Sequence, residues 1–440
     1  MFLIVLIPLG LAGAVFLFRL YLHARIEEHF AAMRAEGLPV TLEELDAWYP
    51  PVPEEDNAGP LFLLASGSFK SDSERDAYLP IVGGKSVEVS PGEPYPDEIV
   101  ALMEEAIGAN EEVYRLVRAA AAMPGCRYPI DLTQGYAVEL GHLARLRWLA
   151  RLLCLRAHLE AERGKGDAAA ATLLDILAVA QSLDAEPIFR SQLLRILIVE
   201  IAESGLARVL SRTQIGAGSC ARLAEELERC VSPETWRRAM AGECCRTLPV
   251  FSEVPVLEVP GTSVIENIVP GGYVMSRRVL LGIGLGDLDM LYYLRINDRI
   301  MEAVNTPYPA CLHIDYGAWW EELPQVLAWR MSRYFGCLFQ VPQPRGGHIA
   351  GIRCARTALS IERYRIGHGV LPPDLATLVP EYMKQVPIDP MDGNSLRYRR
   401  LERGYVVYSI GRDFKDDGGK IVVRPNDSTY EPDHTFRVLR

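Results

Sequence analysis

The chain has 440 residues, 49% of them hydrophobic, which is room for two or three domains and a large core. Its formal net charge is −11, and only six of the 46 basic residues are Lys. That acidic balance argues against nucleic acid as a partner, because such binding depends on Lys and Arg neutralising phosphates. Nine cysteines, an odd number without a C-x-x-C pair, match no zinc or redox motif and leave the compartment open.

Residues Phe2 to Leu22 are apolar apart from Arg19. A run of about 20 such residues spans the hydrocarbon core of a bilayer. The run is longer than that of a secretory signal, has no basic start, and is followed by aromatic and basic residues, Phe18, Arg19, Tyr21 and Arg25. The expectation is an uncleaved single-pass anchor over residues 1–24, in contact with membrane lipid.

Residues 25–96 read as a helix followed by a Pro/Gly-rich linker region. Arg25 to Glu36 continues the helix in polar residues. Thr41-Leu-Glu-Glu44 is a capping box opening a short helix to Trp48. Four prolines lie within residues 49–60, and residues 67–96 form a long loop with a short strand expected at Ser86 to Val89.

The body, residues 97–347, is expected to be α-helical. Asp97 to Met123 reads as one amphipathic helix. From Tyr136 the helical signal is strong, with Leu143, Leu146, Leu149, Leu153 and Leu155 on one apolar face. Gly164 to Asp167 makes a turn with Asp167 as cap. Ala168 to Leu183 follows, then Ile188 to Leu210, which is apolar nearly all round and so belongs at the centre. Residues 218–230 and 233–246 give two more helices, and Val279 to Val304 and Trp319 to Tyr334 another two. The hairpin pattern without a strict repeat period predicts an irregular α-bundle or solenoid.

The last segment, residues 348–440, begins after the P-Q-P-R-G-G linker. Ala358, Leu359, Ile361, Tyr364 and Ile366 form one side of an amphipathic helix that Gly367, Gly369 and Pro372-Pro373 terminate. Asp374 caps a short helix to Leu378. Leu396 to Arg400 and Tyr405 to Ser409 read as two strands around Arg403-Gly404. Then comes the acidic stretch Ser409-Ile-Gly-Arg-Asp413-Phe-Lys-Asp416-Asp417-Gly-Gly.

In this order, C-A-R-T-A-L-S-I-E-R-Y-R-I-G-H-G-V-L-P, L-V-P-E-Y-M, V-P-I-D-P-M-D-G and Y-V-V-Y-S-I-G-R-D-F-K-D-D-G-G, the tail resembles the soluble end of the type II secretion major pseudopilin, a type IV pilin-like family. The resemblance covers about a fifth of the chain. The start of the chain has neither the basic leader nor the early Glu of that family, so a processed pilus subunit is not expected. The whole chain resembles a group of uncharacterised membrane-anchored bacterial proteins in which a helical body carries such a tail, with V-T-L-E-E-L-D-A-W-Y-P-P-V-P-E-E-D-N-A as the early segment.

The resemblance implies a small α+β domain over 348–440 and a calcium site in the acidic loop. Ser409 and Asp413 match the family's ligand positions directly, and Asp416 and Asp417 match in kind. Calcium takes six to eight oxygens, and a Gly-containing loop lets carbonyls turn inward. The alternative is an ordinary solvated turn. Asp389 and Asp392 lie in a Pro/Gly turn and are read first as turn residues.

Other candidates have plainer readings. Gly83-Gly-Lys-Ser86 lacks the first Gly of a phosphate loop. Gly282 to Gly286 lacks the dinucleotide spacing. His313 and Asp315 beside Trp319-Trp320 read as a packing corner. Cys244-Cys245 reads as a buried pair, and Glu200 as the partner of Arg195 or Arg208.

The sequence therefore predicts a mainly α protein: an N-terminal transmembrane helix, an irregular helical body and a pseudopilin-like α+β tail. The expected location is the bacterial inner membrane. Arg19 and Arg25 favour a cytoplasmic body by the positive-inside rule, whereas the resemblance implies a periplasmic one, the side taken here. The expected role is a non-catalytic cell-envelope scaffold or adaptor with protein partners, associated with a type II secretion or pilus-like system. An envelope enzyme with a site assembled from dispersed residues is the alternative.

Overall fold

The computed structural model describes residues 2–86, 89–252, 284–314, 342–411, 413–420 and 433–440. Its first element, α1 (Phe2–Ala35), is one continuous helix through both the apolar run and the polar stretch after it. Leu9, Phe16 and Leu17 are 62–67% exposed, whereas Leu22 is 1% exposed. From Leu9 to Tyr21 the described side chains are mostly exposed, with Arg19 reaching the body, and close packing begins at Leu22. At a rise of 1.5 Å per residue that exposed stretch is about 20 Å long. Arg19 and His23 both approach Asp287, at 3.5 and 3.6 Å, where the helix meets the body.

The helix α2 (Leu42–Trp48) starts as the capping box predicts. Thr41 Oγ1 accepts from Glu44 N at 3.1 Å, and the Glu44 carboxylate reaches back to accept from Val40 N at 2.8 Å. After α3 (Gly59–Gly67) and the single turn α4 (Ser73–Asp76), the expected long helix appears as two, α5 (Asp97–Ala109) and α6 (Glu111–Ala121). The break is at Asn110, whose buried amide donates to Ala106 O and Lys70 O and accepts from Lys70 N at 2.8 Å. A side chain that hydrogen-bonds backbone in this way competes with helix continuation.

The centre is formed by α7 (Gly141–Glu162), α8 (Gly166–Gln181) and α9 (Phe189–Arg212), each packed on the other two. The helix α9 is largely buried, with Arg190, Leu193, Glu200 and Ser204 exposed along one stripe. Ile198, Val199, Leu206 and Val209 join the large core with α7 and α8, while Phe189 and Ile196 join a second core with α1. Each such fully buried aliphatic side chain contributes about 1.5–3 kcal/mol. Asp167 lies inside the first turn of α8 and is not its cap. Its carboxylate accepts from Gly216 N at 2.9 Å and so fixes the entry of α10 (Ala217–Arg229).

The second core is completed by α11 (Pro233–Thr247), the short α12 (Pro249–Ser252) and α13 (Leu285–Asn305). Trp236, Met240 and Cys244 of α11 pack there with Leu291, Leu294 and Ile300 of α13. The expected helix at Trp319 to Tyr334 lies outside the described residues.

The last helix, α14 (Pro342–His368), begins at Pro342, so the P-Q-P-R-G-G stretch is the first part of a helix and not a linker. Proline is tolerated there because the first N–H groups of a helix have no internal acceptor. Strands β1 (Arg397–Arg400), β2 (Tyr405–Ser409) and β3 (His434–Val438) form an antiparallel sheet in the order β1-β2-β3. Arg397 pairs with Tyr408, and Tyr405 with Val438. The first two strands match the predicted hairpin, and β3 was not foreseen. Every residue of the central β2 is buried. Tyr405 donates its hydroxyl to Ala358 O at 3.2 Å and Glu362 Oε1 at 3.1 Å, which ties the sheet to α14. Ile352, Ala355, Leu359, Val407 and Phe436 belong to the same core as α7, α8 and α9. Body and tail therefore share one apolar interior.

The β1–β2 turn tests this packing. Gly404 has φ +91°, and a methyl group there would lie 1.8 Å from Val438 O. Gly404→Ala is expected to cost about 2 kcal/mol or more, combining left-handed strain with displacement of β3. A thermal melt of the variant against the parent chain measures it.

Candidate functional site

The four predicted calcium ligands lie at the end of β2 and on the loop that follows it. Ser409 ends β2 and is fully buried, and its hydroxyl donates to Asp389 Oδ1 at 2.6 Å. Asp413 closes a local turn by accepting from Lys415 N at 3.1 Å. Asp416 accepts from Gly418 N at 2.8 Å. The backbone N–H of Asp417 donates to Asp433 at 3.3 Å, and Gly419 N donates to the same carboxylate at 2.7 Å. Asp433, which the sequence reading passed over, is thus the group that closes the acidic loop onto the start of β3. Burial raises its carboxyl above the usual range against those two hydrogen bonds.

The positive charge in this region is a guanidinium. Arg397 on β1 donates to Asp389 at 2.5 Å and to Asp392, and its Nε lies 3.4 Å from Asp416 Oδ2. Asp389 is fully buried and its acceptor sites are filled. Oδ1 takes Met391 N and Ser409 Oγ, and Oδ2 takes Ile410 N and Arg397. A buried carboxylate is stable only with such complete pairing. Burial disfavours the charged form of Asp392, but hydrogen bonds from Arg397 and Asn394 outweigh it and hold the carboxyl below its ordinary value. Among the described residues, no three His, Cys, Asp or Glu side chains come together to hold a metal ion. Asp389, Asp392 and Asp416 thus gather around one planar guanidinium with several fixed donors.

A second constellation, invisible in the sequence, lies where α9, α14 and β3 meet. Glu203 Oε1 and His348 Nδ1 are buried without a hydrogen-bond partner. A methyl group at Gly351 would lie 2.4 Å from Glu203 Oε2 and 2.8 Å from His434 Nε2, so the missing side chain makes the space these groups share. Burial, then the neighbouring Glu200, raises the Glu203 carboxyl well above the usual range. Burial, then the Arg195 charge, pushes the His348 imidazole down to about 3. Cys230 and Cys354 are the thiols within electrostatic reach of Glu203. No sequence motif marks these residues, because they come from three distant elements.

Two further pairs have the right chemistry for catalysis and the wrong surroundings. Cys154 Sγ lies 3.7 Å from His158 Nε2, one helical turn on. Burial pushes that thiol up to about 12 and that imidazole down to about 3, so neither carries the charge a thiolate–imidazolium pair requires. Tyr95 fills the other ring nitrogen of His158 at 3.0 Å. Glu186 is fully buried between His142 Nε2 at 3.1 Å and Ser191 Oγ at 2.5 Å. There the carboxylate sits between serine and histidine, whereas a hydrolytic triad needs the imidazole in that place. Cys244 and Cys245 are buried as expected, and burial pushes the Cys245 thiol up to about 12. The eight described cysteines are all free thiols. Arg195 and Arg208, the arginines expected near Glu200, pair with Asp184 and Glu162.

The described surface carries a broad concavity of ligand size. A groove of about 920 Å³ opens between α10, α14 and the segment 382–388. Volumes of this order are typical of sites for drug-sized or peptide ligands.

No family model, curated protein or solved structure matches this chain. Its function is therefore argued from its own geometry.

Two outcomes follow from the buried charges. Arg397→Met leaves Asp389 charged, buried and short of its main partner, at a cost of about 3 kcal/mol or more. Calcium at a hundredfold excess over its dissociation constant would stabilise a real site by about 2.7 kcal/mol. The parent chain is expected instead to melt at one temperature in millimolar calcium and in chelator.

Glu203 gives a pH signature. Its folded carboxyl titrates above its unfolded one, so the folded state holds the proton more tightly. The stability it contributes is present below about pH 4.5 and is lost as pH rises through the folded value. Glu203→Gln removes that loss. The variant should gain melting temperature over the parent at pH 8 and show no such gain at pH 5. Equal differences at both pH values would mean that Glu203 is ionised in the folded chain.

Proposed function

We propose that this chain is a non-catalytic, membrane-anchored scaffold or adaptor of the bacterial cell envelope. The observation that carries the reading is α1. Apolar side chains as large as Phe16 and Leu17 stand exposed along about 20 Å of helix from Leu9 to Tyr21, and packing into the body begins at Leu22. Contiguous apolar surface of that extent marks a membrane or protein contact. The helix's length and composition are those of a membrane span. Arg19, His23 and Asp287 supply a polar layer at the point where the span would leave the bilayer.

Beyond the anchor lies a helical body with a groove suited to a partner. The resemblance of the tail to the major pseudopilin supports a place in the inner membrane, a periplasmic body and association with a type II secretion or pilus-like system. The helix, short 3-10 turn at Ala376–Leu378 and hairpin occur in the order that the resemblance implies.

Membrane fractionation tests the anchor. The full chain should remain with carbonate-washed membranes, and recovery in the soluble fraction would overturn the proposal. A reporter active only in the periplasm, fused after Arg440, should be active. Activity from a cytoplasmic reporter instead would reverse the topology and remove the link to secretion.

A further inference from the structure

We infer that the groove between α10 and α14 is a docking site for an acidic, extended polypeptide segment of a partner protein, an inference that rests on the adaptor reading and names the chemistry of its partner. Arg353, Arg356 and Arg363 project from one face of α14, and Lys384 stands opposite them on the 382–388 segment. Ala221, Ala224 and Met383 contribute apolar surface between these charges. The two acids of the groove are already matched: Glu228 pairs with Arg356, and Glu225 with Arg229 at 2.9 Å. Among the described residues, Arg353, Arg363 and Lys384 have no carboxylate partner within salt-bridge distance. Arg353 and Arg363 are each held by a backbone carbonyl of the facing segment, Ile388 O at 2.5 Å and Tyr382 O at 3.4 Å. Each bond uses one of five donors and fixes the guanidinium in place. Arg356 keeps a buried Nε–H with no acceptor. Burial lowers the pKa of both Arg353 and Arg356, as expected of guanidinium groups drawn out of water without full anionic compensation.

Three arguments select the occupant. The cations of α14 extend over ten residues of helix, about 15 Å, which one phosphate or carboxylate cannot bridge. A strand advances about 3.3 Å per residue with side chains alternating in direction, so it can offer carboxylates to the rim and apolar groups to the floor. The chain as a whole carries −11, so this local excess of cations is what an acidic segment would select.

The test uses the full chain in an uncharged detergent and a fluorescent synthetic peptide of alternating Leu and Glu. Anisotropy should show saturable binding that weakens with added salt. Arg353→Gln with Arg363→Gln should weaken it at least tenfold, with circular dichroism confirming the fold. Lys384→Glu, at an exposed position with no partner to lose, should weaken it severalfold on a chain of unchanged stability. A Leu–Lys peptide should not bind. Absence of saturable binding would overturn the inference, as would equal affinity for both variants or for the Leu–Lys peptide. Competition by inorganic phosphate or by anionic vesicles at low concentration would overturn it in favour of a small-anion or lipid site. A chain that stays in carbonate-washed membranes yet fails these binding tests loses the groove and keeps the anchor.

Discussion

Arginine side chains that capture backbone carbonyls hold this fold together. Arg195 donates to Cys230 O at 2.7 Å, Arg208 to Glu93 O at 3.0 Å, Arg246 to Gly135 O at 3.1 Å and Arg345 to Val304 O at 2.5 Å. Arg440 donates to Leu210 O at 2.5 Å and Thr213 O at 3.0 Å. The carbonyls they capture lie at helix C-termini, as at Leu210, Thr213, Cys230 and Val304, and in non-helical backbone, as at Glu93 and Gly135. A loop packed against a helix buries carbonyl groups that no ladder satisfies, and each would cost the desolvation of an unmade hydrogen bond. A guanidinium carries several fixed donors and can serve a carbonyl and a carboxylate at once. Arg208 does so, bonding Glu162 at 2.8 Å while lying 3.6 Å over the ring of Tyr95. A lysine ammonium offers neither the planar fork nor the stacking face, so the preference for Arg over Lys has a structural use here.

That constraint explains how the segments relate. The loop before α5 is fastened to α7 and α9 through Arg208 and Arg212, which share Glu162. The end of the chain is fastened to α9 through Arg440 and through Leu439 N, which donates to Ser211 Oγ at 3.0 Å. Each attachment reaches the same central helix, α9. The small sheet accordingly completes the body and shares its core.

How much of this was legible depends on the range of the interaction. Helices with a one-sided or continuous apolar pattern, α7 to α11, were readable because their period is local. The hairpin was readable from Arg403-Gly404 between two β-rich runs. The break at Asn110 was not, because it depends on Lys70, forty residues earlier. Strand β3 was not, because His434 to Val438 is short and gains its place only by pairing with β2. The acidic loop was located correctly as a feature, but its electrostatic centre was missed. Arg397 stands outside the motif, and which cation carboxylates gather around is a tertiary fact. Glu203 and His348 were hidden for the same reason: each is an ordinary polar residue on an amphipathic helix until α9, α14 and β3 enclose it.

The Arg397 cluster and the groove are parts of one arrangement. Asp389 follows directly on Pro387 and Ile388, which wall the groove. It is held at both oxygens by Met391 N, Ile410 N, Ser409 and Arg397. From the other side, Arg353 holds Ile388 O. The wall is therefore pinned at one end to the sheet and along its length to α14. A groove built this way is preorganised, because the loop that forms its rim has little freedom left to lose when a ligand enters. The buried carboxylate acts as a positioning group: its charge, neutralised inside the protein by Arg397, fixes the backbone next to Ile388, whose carbonyl holds Arg353.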